Sequence, residues 1–275
     1  MEIGVQLPEV EREVRWPELL EIARMVEARG FDSLWLGDHM LYRGDGRSER
    51  APWDAWTTLA ALAAATERVK LGPLVAATAF HGPGLIARMA AAIDEISGGR
   101  FVLSLGTGWN ETEFEAFGIP FDRKVSRFEE AFEIIRRLLA GERVTFDGAF
   151  HTVRDAMLLP PPARRVPLMV GGHGPRFLAA TLPHVDAWNT WYAWYGNTVE
   201  GFAELSAGIG VRKSACVLVT VDGGRGERSA EDNPVPEEQL REHLDALAAA
   251  GADEAILVLD PIDAGAVGRV ADVLF

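Results

Sequence analysis

Two periods of apolar and polar residues take turns along this chain. Short runs rich in β-branched and aliphatic residues lie at 3–7, 33–36, 69–75, 100–105, 167–170, 185–189, 212–221 and 254–259. Each has the length and composition of a strand buried on both faces. Between them, apolar residues recur every three or four positions. The stripes are Leu19, Ile22, Ala23 and Val26; Leu85, Ile86, Met89 and Ile93; Phe128, Phe132, Ile135 and Leu139; and Leu240, Leu244 and Leu247. That spacing lays one face of a helix on a sheet. Gly30 and Gly251 follow the first and last of these stripes, where a glycine commonly ends a helix.

Eight strands alternating with helices predict an α/β chain folded as a (β/α)8 barrel, a single domain over residues 1–275. A doubly wound sheet usually has fewer strands, and no G-x-G-x-x-G opens a helix after the first one. Two stretches break the rhythm. Residues 141–165 form an insertion between the fourth helix and the fifth strand. It holds a predicted hairpin at 144–153 with Asp147-Gly148 at its turn, and Pro160-Pro161-Pro162 then returns the chain to the sheet. Residues 222–236 are polar and Gly-rich and predict a mobile loop.

Composition narrows the possible functions. The chain has 275 residues, 48% hydrophobic and 25% charged, with formal charge 27 − 41 = −14 and one cysteine, Cys216. The apolar share is that of a folded soluble protein. One cysteine supports neither an internal disulfide nor a cysteine zinc site. The start, Met1-Glu2-Ile3-Gly4, has no basic or apolar leader pattern, and the most apolar stretch, 60–65, is far short of the ~20 residues of a membrane span. An acidic surface with no basic stripe argues against nucleic acid as a partner. A cytoplasmic enzyme acting on a small molecule is the expectation.

In such a barrel the chemistry lies just after the strands. Those positions hold Gly37-Asp38-His39, Ala76-Ala77-Thr78-Ala79-Phe80-His81, Gly106-Thr107-Gly108-Trp109-Asn110-Glu111, Gly171-Gly172-His173-Gly174 and Thr190-Trp191-Tyr192-Ala193-Trp194-Tyr195. A histidine near its ordinary pKa of ~6.5 can pass a proton in either direction, which makes His39 a candidate acid or base. The plainer reading is a structural Asp–His pair at the rim. Glu111 and Glu113 are both candidate proton donors, though the first turn of a helix favours acids in any case. Gly171–Gly174 lead into a helix beginning near Arg176, an arrangement that suits an anion and equally suits a tight turn. His39, His81 and His173 sit on separate strands without metal-ligand spacing, so no metal site is predicted. Tyr42, Trp53, Trp109 and 191–195 predict an apolar or aromatic substrate wall, or else a buried or dimeric contact.

These residues carry a resemblance. The stretches 30–39 (Gly-Phe-Asp-Ser-Leu-Trp-Leu-Gly-Asp-His), 66–72, 93–101 with its Ser97-Gly98-Gly99-Arg100, 105–111, 170–174 and 187–189 resemble, in order, the luciferase-like monooxygenase superfamily. The likeness is to the branch that uses the deazaflavin coenzyme F420. Leu257-Val258-Leu259-Asp260-Pro261 also fits.

The resemblance implies a TIM barrel holding the deazaflavin ring at the carboxyl ends of its strands. A non-prolyl cis peptide after the third strand maps to Leu74-Val75. Asp38 would contact the ring, and Leu74, Val75, Ala76 and Ala77 would line it. Gly106, Thr107, Gly108 and Asn110 would contact the ring or its side chain, and Gly171, Gly172, His173 and Gly174 the phosphate. His39 and Glu111 would be catalytic. Hydride transfer between F420 and a small organic substrate is the implied reaction, with a homodimer as the common assembly. The alternative is an FMN monooxygenase served by a partner flavin reductase; a third is a flavin-binding barrel without catalysis. FMN members are usually longer, with an insertion near the seventh strand. Two departures thin the expected polar contacts: His81 replaces an arginine, and Ala76-Ala77 replace a threonine or proline. Arg43, Arg47, Arg50 and Arg176 are the candidate counter-charges for an anionic cofactor on so acidic a chain.

Overall fold

A computed structural model of the chain describes residues 1–44, 46–192, 196–227 and 233–275. The strands are β1 (Glu2–Gln6), β2 (Ser33–Leu36), β3 (Lys70–Pro73), β4 (Ala76–Ala77), β5 (Leu103–Gly106), β6 (Val144–Asp147), β7 (Thr152–Ala156), β8 (Leu168–Gly171), β9 (Ala187–Thr190), β10 (Arg212–Thr220), β11 (Val235–Pro236) and β12 (Glu254–Asp260). The helices are α1 (Trp16–Ala28), α2 (Ala55–Ala65), α3 (Pro83–Ser97), α4 (Glu111–Ala116), α5 (Lys124–Leu139), α6 (Pro175–Thr181), α7 (Val199–Leu205), α8 (Leu240–Ala249) and α9 (Ala264–Leu274). No helix among the described residues is long and apolar enough to cross a membrane.

The parallel sheet runs β3-β2-β1-β12-β10-β9-β8-β5-β4. It closes where Leu71 of β3 pairs with Phe101 ahead of β5; the Val102 N–H donates to the Leu71 carbonyl at 2.9 Å. β3 and β4 are therefore two halves of one barrel strand, so the expected continuous run 69–75 is interrupted. The interruption falls at Leu74-Val75, whose peptide bond is cis. With that strand counted once, the sheet is the expected (β/α)8 barrel.

Two apolar layers hold it. The outer layer packs the helices on the sheet, and the stripes at Leu19, Ile22, Ala23 and Val26, at Phe128, Phe132, Ile135 and Leu139, and at Leu240, Leu244 and Leu247 all face it. The stripe in α3 is rotated from expectation. Leu85 is 59% exposed, while Ile86, Ala87, Ala90 and Ile93 are buried. Adjacent residues point about 100° apart on a helix, and here the buried face is centred on the Ile86–Ala87 side, which leaves Leu85 at its outer edge. The inner layer fills the barrel with Trp35, Leu74, Met169, Cys216, Leu218, Ile256 and Val258. Trp35 fits because position 72 is glycine: a Cβ there would run into the Val102 carbonyl and the Trp35 ring. Below it, the buried Glu254 carboxylate accepts from Ser33 Oγ at 2.7 Å, and Ser33 Oγ accepts from the Trp35 indole at 2.9 Å. Burial raises the Glu254 pKa against the opposing hydrogen bonds from Ser33 and Ser214.

The insertion is a hairpin of β6 and β7, but Asp147 pairs with Thr152 and the turn is 148–151. A four-residue turn replaces the two-residue Asp-Gly turn. Glu130 of α5 reaches under it and accepts from the N–H groups of Ala149 (2.7 Å), Phe150 (2.9 Å) and His151 (2.9 Å). In the stretch 222–236, Val235–Pro236 adds β11 beside β10, and residues 228–232 lie outside the described residues. Gly30 and Gly251 close α1 and α8 at φ +94° and +95°.

Arg100, in the resembling stretch Ser97-Gly98-Gly99-Arg100, is a structural tie. Its guanidinium donates to the carbonyls of Ala63 (2.7 Å), Thr66 (2.8 Å), Val69 (2.8 Å) and Ser97 (2.8 Å) and to Thr66 Oγ1 (3.0 Å). It thus joins the carboxyl ends of α2 and α3, satisfying carbonyls that a helix leaves open. Replacing Arg100 by alanine is expected to cost about 3 kcal/mol, read by urea denaturation, because several carbonyls lose their charged donor at once.

Candidate functional site

The strand ends converge on a cavity of about 260 Å³. Its lining includes Asp38, His39, Leu74, Val75, Ala77, Gly106, Thr107, Gly108, Gly171, Gly172 and His173, expected from sequence at the cofactor or as catalytic, together with Trp109 and Trp191 of the expected substrate wall, the candidate acid Glu113, and Asn189. Val75 forms the floor. Its side chain lies where a Cβ on Gly106 (2.6 Å) or Gly171 (3.0 Å) would stand, so β5 and β8 must end in glycine there. Here the glycines make room for a neighbouring side chain.

His39 is held from two sides. Its Nδ1 lies 2.9 Å from Glu113 Oε1, and its Nε2 lies 3.5 Å from Glu9 Oε1. Glu113 is fully buried and comes from the first turn of α4. Its second oxygen accepts from the Met40 N–H at 2.8 Å and more weakly from that of Leu41 at 3.4 Å. As a carboxylate Glu113 can only accept, so Nδ1 carries a proton and Nε2 is the nitrogen that exchanges one. Glu9 arrives from the loop after β1, where it accepts from the Gln6 side-chain amide at 2.9 Å. Its carboxylate packs on Gly37, where any Cβ would displace it. Burial works against the charged imidazole, but Glu9, the hydrogen bond and charge of Glu113, and Asp38 outweigh it, and the His39 pKa is raised.

Asp38 lies beside it, 7% exposed, with Oδ2 accepting the Ala77 N–H at 3.0 Å. Burial pushes its pKa up to about 7, against the Ala77 hydrogen bond and the charge of His39. His173 stands on the far wall, Nε2 at 3.2 Å from Thr190 Oγ1, its pKa lowered by burial.

Several expected residues lie elsewhere. Glu111 is exposed, and Glu113, two residues on, takes the inward place. Ala76 faces the outer apolar layer, the Asn110 side chain donates to the Leu41 carbonyl at 2.9 Å, and Gly174 caps α6 outside the cavity lining. Arg176 is tied to Glu129 at 2.8 Å, Arg47 donates to the Glu11 carbonyl at 2.8 Å and Arg50 to the Val10 carbonyl at 2.7 Å. Trp53 faces a separate cleft of about 330 Å³ between the loops at 8–15 and 49–58. That cleft is larger, but of the acid and base groups around His39 it includes only Glu9, whereas Asp38, His39 and Glu113 line the smaller cavity. Tyr192 is buried, its hydroxyl 2.7 Å from His243 Nε2. Residues 193–195 lie outside the described residues. Among the described residues, no three His, Cys, Asp or Glu side chains are grouped to hold a metal ion.

Glu9 is absent from the sequence expectations. The signal was available: it follows the first strand, and strand ends are where this barrel places its chemistry. Glu113 was a candidate, but its preference over Glu111 depends on the rotation of α4.

The family model for luciferase-like monooxygenases matches residues 1–221, and the chain belongs to that family. It is 38% identical over 165 residues to an F420-dependent glucose-6-phosphate dehydrogenase of Microbacterium testaceum, covering 58% of this chain and 47% of the relative. It is 34% identical over 166 residues to a 5,10-methylenetetrahydromethanopterin reductase of Archaeoglobus fulgidus, covering 60% and 46%. The chain thus spans about half the length of these curated relatives. Its fold is similar to that of an F420-dependent secondary alcohol dehydrogenase solved with an F420–acetone adduct (TM-score 0.79, 20% identity, 99% and 97% of the two chains).

The raised pKa of Asp38 has a consequence for stability. Its contribution is full below the ordinary carboxylate value near 4 and is lost as pH rises through about 7. Asp38→Asn keeps an acceptor for Ala77 and removes the buried charge. The variant is expected to gain on the parent by up to about 4 kcal/mol between about pH 4 and pH 8, measured by urea denaturation at both ends.

Proposed function

We propose that this member of the luciferase-like monooxygenase family is an oxidoreductase using coenzyme F420 to exchange a hydride with a small organic substrate. The observation that carries the reading is His39, held by Glu113 and Glu9 at the edge of a cavity floored by Val75. The naming of curated relatives as F420-dependent supports the choice of cofactor.

The residues present fit a flat, polar-edged ring. Val75 lies between two glycines with Leu74 also lining the cavity, and the rim offers the Asp38 carboxyl and residues 106–108. About 260 Å³ lies just under the roughly 300–1,000 Å³ of pockets for drug-sized ligands, room for a fused-ring headgroup whose side arm leaves the mouth. The arm would pass His173 towards Gly171–Gly174. When bound, F420 supplies a ring carbon that accepts or donates a hydride. The protein supplies the rest. Asp38, close to half-protonated near neutrality, can donate or accept at the ring edge. His39 Nε2 takes the hydroxyl proton when substrate is oxidised and returns one when a carbonyl is reduced. Because the His39 pKa is raised, its proton-donating form persists to higher pH than that of an ordinary histidine.

Fluorescence titration of the purified protein with F420 and FMN tests the cofactor. Saturable F420 binding with turnover is expected; binding of FMN alone would point to the monooxygenase reading, and F420 binding without turnover on a broad substrate panel to a non-catalytic barrel. His39→Ala is expected to lower kcat at least about 100-fold. Glu111→Gln should stay within about twofold of the parent, since its side chain is outside the cavity.

The pH profile gives a third check. Oxidation needs neutral His39, so its rate rises through a midpoint above the ordinary histidine value, whereas reduction falls through the same midpoint. Glu113→Gln removes a charge that raises this pKa and moves both midpoints down in pH-rate measurements. An unmoved midpoint would assign the titration to another group.

A further inference from the structure

The cavity wall bears on the chemistry of the substrate, given the deazaflavin reading above. Among the described residues that line it there is no lysine or arginine. The cations nearby are turned to other work. Lys124 donates to the Gly108 carbonyl at 3.2 Å and lies 3.9 Å from the centre of the Phe121 ring. Arg50 stands 5.4 Å over the Tyr42 ring. Carboxylates, in contrast, crowd the proton-handling end: Glu9 and Glu113 flank His39, and Asp38 adjoins it. A phosphate dianion entering here would lose its water and meet carboxyl groups, with His39, the cation at this end, already paired to Glu113 and Glu9.

What the wall offers instead is ring surface. His39, Tyr42 and Trp109 are in mutual edge contact, with centroids 4.8 Å (His39–Tyr42), 5.6 Å (His39–Trp109) and 6.0 Å (Tyr42–Trp109) apart. Trp109 is nonetheless 50% exposed at the mouth, and Trp191 also lines the cavity. A half-exposed indole braced by two other rings is an apolar surface that a ligand ring would cover.

We propose that the substrate is an uncharged alcohol carrying an apolar or aromatic ring, or the corresponding ketone, selected by Trp109 and not a phosphorylated sugar. In the oxidation the carbinol C–H bond breaks and its electron pair leaves as hydride to oxidised F420. The hydroxyl proton passes to His39 and the C=O bond forms. Reduction of the ketone by reduced F420 is the reverse, so atoms and electrons balance.

The test pairs binding with turnover. Saturation-transfer NMR is recorded on the F420-loaded protein with 1-phenylethanol, acetophenone and glucose-6-phosphate, and F420 absorbance follows turnover of each. Transfer to the aromatic probes and not to glucose-6-phosphate is expected, with turnover of 1-phenylethanol or acetophenone. Trp109→Ala should weaken aromatic binding about tenfold and Trp109→Phe should restore most of it, because a ring face is what is needed. Glucose-6-phosphate binding or turnover, or aromatic affinity indifferent to Trp109→Ala, would overturn the inference and leave the cofactor reading standing. Failure of F420 to bind in a separate titration would overturn both.

Discussion

One buried carboxylate organises the mouth of this barrel. Glu113 has no exposed surface, yet its two oxygens receive the imidazole of His39 and the backbone of Met40 and Leu41. It thereby fixes the loop after β2 to the helix after β5, two elements that the sheet alone does not bring together. The same contact sets the histidine tautomer and turns Nε2 towards Glu9. A buried acid without partners would be costly, so the loop and the ring must be in place for Glu113 to be buried. Fold and chemistry are joined through that requirement.

Much of this was legible in the sequence, for reasons that differ by level. The strands showed because a parallel sheet covered on both faces needs continuous apolar runs, and the helices because they need one apolar face. What escaped was rotation and close approach. Leu85 and Ile86 are both apolar, and only packing decides which faces the sheet. Glu111 and Glu113 are both acids in one helical turn, and only the start of α4 decides which turns inward. The glycines at strand ends look like ligand cradles in sequence, but Gly106 and Gly171 also make room for Val75, and Gly37 for Glu9. Such needs arise between segments far apart in the chain and leave no local pattern. Arg100 shows the converse: a motif that marks the family by sequence is a tie between helix ends, remote in role from the cavity lining.

The charge of −14 takes on a local meaning at the mouth. Of the arginines offered as counter-charges, Arg47, Arg50 and Arg176 are bound to carboxylates or carbonyls, and the cavity presents backbone, an Asp close to half-protonation and aromatic faces. An acidic protein can present such a site to a cofactor ring while disfavouring an anionic substrate in the same space. The proposed division has the cofactor held through its ring and the substrate through its lack of charge. It gives two relatives of one barrel a physical basis for acting on different molecules.

The central claim is that Val75, Asp38 and His39 together define one ring-binding and proton-handling site. A crystal structure of the protein soaked with F420 tests it most directly. The account predicts the deazaflavin ring lying on Val75, with its edge on Asp38 and His39 Nε2 facing the space beside the ring. A ring bound in the cleft beside Trp53, or in the cavity with His39 turned away from it, would contradict the account.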